Sequence, residues 1–173
     1  MSAAPVDFYF EFSSPYGYIA SHLVDELSKR TGRDIRWRAF LLGPVFKATG
    51  SAPLVEIPMK GDYSRHDFGR SARFHGVPFS MPAKFPIGTV AALRAFYWAD
   101  AKDPALAQRL AKALYKAYFA DGRDISDAKV VLEVAGETGI DLALGALLQG
   151  GIGDAGFERL RVEGMNGATT TSR

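Results

Sequence analysis

Hydrophobic side chains near the start of the chain recur at every second position. Val6, Phe8, Phe10 and Phe12 share one face, and Asp7, Tyr9 and Glu11 share the other. That is the period of a β-strand, and aromatic residues on both faces imply that both are partly covered. From Pro15 the period lengthens: Ile19, Leu23, Val24 and Leu27 stand at helical spacing, with Lys29 and Arg30 in the last turn before Thr31 and Gly32. A single helix of about four turns is predicted. Residues 34–42, DIRWRAFLL, alternate again, with Ile35, Trp37 and Ala39 against Arg36, Arg38 and Phe40. Strand, helix and strand at this spacing make a right-handed βαβ unit with parallel strands.

After Leu42 the texture changes to a long Gly- and Pro-rich connection with one helical turn near 45–48. Beyond it the pattern is helical, over 63–75, 88–100, 103–120, 127–138 with Ser126 or Asp124 as cap, and 141–149. Pro104 after Asp103, and Gly136 and Gly139 near a helix end, support these limits. The expected class is α/β, divided into a βαβ half (1–42), a connecting loop with a helical insertion (43–150), and a divergent, disordered tail (151–173).

Composition narrows the function classes. With 173 residues, 47% of them hydrophobic, the chain can bury a good core. Lys and Arg number 21 against 19 Asp and Glu, a net +2 that does not suggest a nucleic-acid or membrane surface. No apolar run approaches the ~20 residues of a spanning helix, and MSAAPVDFYF lacks the basic-then-apolar pattern of a leader, so a cytoplasmic location is expected. The absence of cysteine excludes disulfides, Cys-based zinc sites and a thiol nucleophile from the protein itself. Sulfur chemistry would have to arrive with a ligand.

The turn between the first strand and helix reads Ser14-Pro15-Tyr16-Gly17, where a thiol–disulfide oxidoreductase carries Cys-x-x-Cys. Two roles fit Ser14. It can cap the helix, with Pro15 at the first helical position where a missing N–H does no harm. It can also donate a hydrogen bond to a bound thiolate, at a place where helix N–H groups favour an anion.

Four stretches together, FYFEFSSPYGYIA, FLLGPVFKATG, RFHGVPFSMPAKFPIGTVAALRAFYWA and LYKAYFADGRDISDAKVVLEVAGETGID, resemble the 2-hydroxychromene-2-carboxylate isomerase family. That family is related to kappa-class glutathione transferases and to the DsbA-like thioredoxin fold. The resemblance covers residues 6–150. It implies a thioredoxin-like domain with a helical insertion, glutathione as cofactor, and Ser14 hydrogen-bonded to the glutathione sulfur. The substrate it implies is an aromatic-degradation intermediate, isomerised without a metal. Pro15, Tyr16, Lys47 and Ser51 are the further ligand-contact candidates, Ser51 standing where many relatives read asparagine. No base adjoins Ser14 in the sequence, which favours the ligand's thiolate as nucleophile. The alternatives are a kappa-type transferase and a truncated, non-catalytic thioredoxin-like binding module.

Other conspicuous residues have plainer readings. Trp37 and Tyr18 suit packing, as do Phe96, Tyr97, Trp98, Tyr115, Tyr118 and Phe119 between helices. His22, His66 and His75 have no partners at metal-ligand spacing. Lys84, between Pro82 and Pro86, begins a connection that can line the substrate side of the cleft, with Phe85 in the core. The family pattern continues with a cis-proline loop, two antiparallel strands and a last helix, whereas residues after Gly150 carry no strand signal. The expectation is therefore a shortened member with an incomplete sheet, paired as a homodimer over the open edge.

Overall fold

In the computed structural model, which describes residues 4–141, Val6–Phe10 (β1) and Ile35–Ala39 (β2) pair in parallel. The register runs from Val6 opposite Ile35 to Phe10 opposite Ala39. Phe10, Trp37 and Ala39 are buried under the helices, and the ring of Phe8 meets both Phe10 and Trp37. The other face is open among the described residues. Tyr9 is 45% exposed there, and Arg36 and Arg38 share Asp7 at 2.9 and 3.3 Å. This face, expected to be partly covered like the other, is the more open of the two, and exposed pairs of this kind add little stability.

The predicted four-turn helix is two helices, Pro15–Ser21 (α1) and Val24–Thr31 (α2). At the break, His22 N and Leu23 N donate to Ile19 O and Ala20 O, three residues back, and the buried Ser21 hydroxyl donates to Tyr18 O at 2.6 Å. This tightening ends the regular ladder, after which α2 starts afresh. Gly32, at φ 63°, closes α2 in the left-handed conformation that glycine adopts without strain.

The second strand is shorter than its sequence pattern. It ends at Ala39, and Leu42 already opens α3 (Leu42–Thr49), which replaces the single turn expected near 45–48. A 3₁₀ turn at Leu54–Glu56 leads into α4 (Lys60–Phe74), followed by α5 (Val90–Asp100), α6 (Pro104–Phe119) and α7 (Ala128–Glu137). Asp103 caps α6 as its position suggested. The cap of α7 is Asp127, accepting from Lys129 N at 2.8 Å, instead of Ser126 or Asp124. The helix expected at 141–149 and the tail 151–173 lie outside the described residues. No described helix is long and apolar enough to cross a membrane.

Helices α5 and α6 form the centre of the core. Phe96, Tyr115, Tyr118 and Phe119 are essentially inaccessible, as the helix-packing reading expects. The βαβ half joins this core through aromatic contacts: Phe10 meets Phe96 edge-on at 5.3 Å, and Tyr18 stacks on Phe119 at 5.3 Å. Tyr115 reaches from α6 to donate its hydroxyl to Glu11 O at 2.9 Å, passing directly over Gly17.

A Cβ on Gly17 would stand 2.5 Å from the Tyr115 hydroxyl oxygen, whereas one on Gly43 would meet nothing within 4 Å. Gly17→Ala is therefore expected to lose about 1–3 kcal/mol of stability by overpacking. Gly43→Ala, in α3, is expected to be neutral or to gain up to about 1 kcal/mol. Urea unfolding of both proteins checks the contrast; equal effects would mean that the approach of Tyr115 is not constrained.

Candidate functional site

The turn that leaves β1 runs into the wall of a cleft of about 380 Å³, a size suited to a small organic ligand. Its wall comes from five places: Pro15 and Tyr16 of α1, Leu41 to Pro44 with Phe46 around the start of α3, Pro53 to Val55, Phe68 of α4, and Phe85 to Val90. Among the lining residues the side-chain polar groups near the turn are Glu11, Ser13, Ser14 and Thr89, with the Tyr16 hydroxyl at the edge.

Ser14 is the N-cap of α1. Its backbone is extended (φ −92°, ψ 112°), and its Oγ accepts from Gly17 N at 3.1 Å. The capping reading therefore holds, with Pro15 following at the first helical position. Capping uses one lone pair of the hydroxyl and leaves its hydrogen to donate. Since Ser14 is also half-buried in the cleft wall, the two roles weighed for it are compatible.

Tyr16 faces the cleft. Its hydroxyl donates to Asp67 Oδ2 at 2.6 Å and its ring packs edge-on against Phe68 at 5.0 Å. Burial first, and then the Asp67 carboxylate, push its ionisation up to about 12, so it stays neutral. Lys47 and Ser51 are exposed and do not line the cleft, although their neighbours Phe46 and Pro53 do. The structure thus brings Ser14, Pro15 and Tyr16 together and leaves Lys47 and Ser51 outside.

Lys84 binds Asp124 at 3.0 Å and Ser126 at 3.1 Å, while Phe85 and Pro86, joined by a cis peptide, supply wall. Tyr18 is buried, its hydroxyl donating to Pro78 O at 2.7 Å, and Trp37 is core. All three histidines are exposed, and no group of side chains fit to hold a metal occurs among the described residues.

The pattern reading missed Glu11. Alternation places it with Asp7 and Tyr9 on the open face, but β1 ends at Phe10 and the rule no longer applies one residue later. Glu11, Phe12 and Ser13 are all buried, at 7%, 1% and 8% exposure. The only advance signal was an acid three residues before Ser14, inside an aromatic run. Glu11 Oε2 accepts from Ser13 N at 2.8 Å, and Oε1 accepts a short hydrogen bond from the Thr89 hydroxyl. Ser13 Oγ in turn accepts from Ile87 N at 3.1 Å. Burial raises the Glu11 carboxyl from its ordinary 4.5 to about 7, while the bonds from Thr89 and Ser13 pull the other way. No base stands next to Ser14 in the sequence, yet Glu11, three residues before it, lines the same cleft with its carboxyl raised to about 7.

The family model described as DSBA-like thioredoxin domain matches residues 5–153. The chain belongs to that family. Among curated relatives, glutathione S-transferase kappa 1 of Caenorhabditis elegans is 28% identical over 141 residues, 78% of this chain and 62% of the relative. The 2-hydroxychromene-2-carboxylate isomerase of Pseudomonas putida is 35% identical over 82 residues, 46% of this chain and 40% of the relative. This DSBA-like chain therefore spans less than two thirds of the length of either. A solved structure of a 2-hydroxychromene-2-carboxylate isomerase superposes with a TM-score of 0.75 at 26% identity, covering 96% of this chain and 79% of that one. The thioredoxin-like fold with helical insertion expected from the resemblance is thereby shown.

The buried carboxyl has a consequence for stability. Its folded ionisation lies above its unfolded one, so the stability it contributes is complete below about pH 4.5 and is lost as pH rises through about 7. The loss is roughly 3 kcal/mol, and Glu11→Gln, which does not titrate, escapes it. Denaturant unfolding from acid to mildly alkaline pH is expected to show the variant gaining on the wild type by that order. A difference independent of pH would mean that the carboxyl ionises normally in the folded protein.

Proposed function

We propose that the chain is a glutathione-dependent isomerase of the 2-hydroxychromene-2-carboxylate type, acting on a conjugated aromatic-degradation intermediate. The observation that carries this reading is the Ser14 hydroxyl, set in the wall of an apolar cleft with its hydrogen left to donate. Relatives named as isomerase and as glutathione transferase support the choice of ligand.

When bound, glutathione would supply a thiolate able to add reversibly to a conjugated carbon. Ser14 would donate to the sulfur and so favour its charged form. Tyr16, fixed by Asp67 and Phe68, and the walls from Leu41, Phe46, Phe85 and Ile87 hold a flat apolar molecule beside it and exclude water. The residues fit the ligand at its sulfur end. Lysine and arginine are absent from the described lining, so Lys47 enters this reading only as a charge near the rim. A cytoplasmic homodimer is the setting that accompanies the proposal.

A second reading is glutathione transfer of the kappa type, supported by similarity to the kappa 1 relative over 141 residues. Mass spectrometry of the products separates them: isomerisation returns glutathione unchanged, whereas transfer leaves a conjugate.

Ser14→Ala tests the common core of both. The variant is expected to lose about 10²-fold or more in turnover and the ultraviolet absorbance of bound thiolate. Only the cap, about 0.5–2 kcal/mol, should be missing from its stability. Saturating glutathione that gives no thiolate signal in the wild type would end the reading. Unfolding of the variant would assign Ser14 to structure.

A further inference from the structure

We propose that the Glu11 carboxylate is the proton acceptor for the ligand's sulfhydryl, taking that proton when glutathione enters the cleft and returning it when glutathione leaves. This rests on the reading above. On entry the S–H bond breaks, its electron pair stays on sulfur, and an O–H bond forms on Glu11; departure reverses both. No other reactant is required.

Three observations place Glu11 in this role. Glu11 lines the same cleft as Ser14, three residues away along a turn whose Ser14 N donates to Glu11 O at 2.9 Å. It is 7% exposed, so bulk water is a poor alternative acceptor at that depth. Its carboxyl oxygens are held by Ser13 N and the Thr89 hydroxyl, neither of which is a cation that would lock it in the ionised form.

Among the described residues, the further titratable groups that interact with it electrostatically are Tyr115 and Tyr118 of α6. Burial pushes both hydroxyls upward, so they stay neutral where the carboxyl titrates. The charge of Lys84 is paired with Asp124. An apolar cleft penalises a second negative charge, so the carboxyl and the sulfhydryl share one proton and titrate as a pair. Capping occupies one lone pair of Ser14, whose hydrogen settles the sulfur's charge but cannot receive the sulfur's proton. Glu11 supplies the missing acceptor.

The test is a proton inventory. Reduced glutathione is titrated into the full chain by calorimetry at mildly alkaline pH, in buffers of differing ionisation enthalpy, with thiolate absorbance followed in parallel. S-methylglutathione serves as the thiol-free control. The wild type is expected to form thiolate while releasing almost no proton to the buffer, and Glu11→Gln to release most of one. Neither protein should release any with the control.

Thr89→Val keeps the carboxyl but removes a donor that favours its charged form, so proton release should persist to higher pH than in the wild type. This second variant keeps the test decisive if Glu11→Gln does not fold. Equal release from wild type and Glu11→Gln, or a Thr89→Val curve unchanged from wild type, would overturn the proposal with glutathione binding intact. Absence of binding by reduced glutathione to the wild type would instead overturn the functional reading and this inference with it.

Discussion

Backbone that turns inside an apolar shell must find its hydrogen-bond partners within the protein. The segment from Glu11 to Ser14 finds them on every side. Glu11 O accepts from Ser14 N and from the Tyr115 hydroxyl; its carboxyl accepts from Ser13 N and Thr89; Ser13 Oγ accepts from Ile87 N. Among the described residues no buried side-chain polar atom lacks a partner. The end of β1, the middle of α6, the start of α5 and the loop before it are thereby tied to one turn. The cleft opens where they meet, so its shape follows from the need to satisfy that turn.

What could be read in the sequence was whatever a repeating period or a single local rule governs. The alternation of Val6 to Phe10 and of Ile35 to Ala39, the start of α1 at Ser14-Pro15, and the aromatic packing of α5 on α6 all belong here. Departures arose where one interaction overrides the period. The Ser21 hydroxyl and its neighbours shorten the ladder at the end of α1 and divide a helix whose apolar spacing is continuous.

Lys47 and Ser51 are ligand-contact candidates from a stretch whose pattern shows only a Gly- and Pro-rich connection with one helical turn. That stretch is α3, and on a helix Leu42 and Phe46, four apart, share the face that lines the cleft. Lys47 is rotated about 100° from Phe46 around the axis, and Ser51 lies beyond the helix-ending Gly50, at φ 67°. Glu11 escaped notice for the opposite reason: it sits one residue past the end of a regular element, where no period applies.

The division of the first helix also changes how an anion can be held at Ser14. A four-turn helix would contribute a macrodipole; α1 alone has 7 residues, and α2 restarts after the break. Explicit hydrogen bonds must then carry more of the stabilisation, and the apolar wall makes every uncompensated charge expensive. The carboxyl of Glu11 shows the size of that penalty, since two hydrogen bonds leave it still raised to about 7. A thiolate in the same cleft meets the same penalty with fewer donors from the chain. Neutralising the carboxyl as the sulfur becomes charged keeps the cleft at a single negative charge throughout, which is the arrangement that a low-dielectric pocket with one hydroxyl donor can sustain.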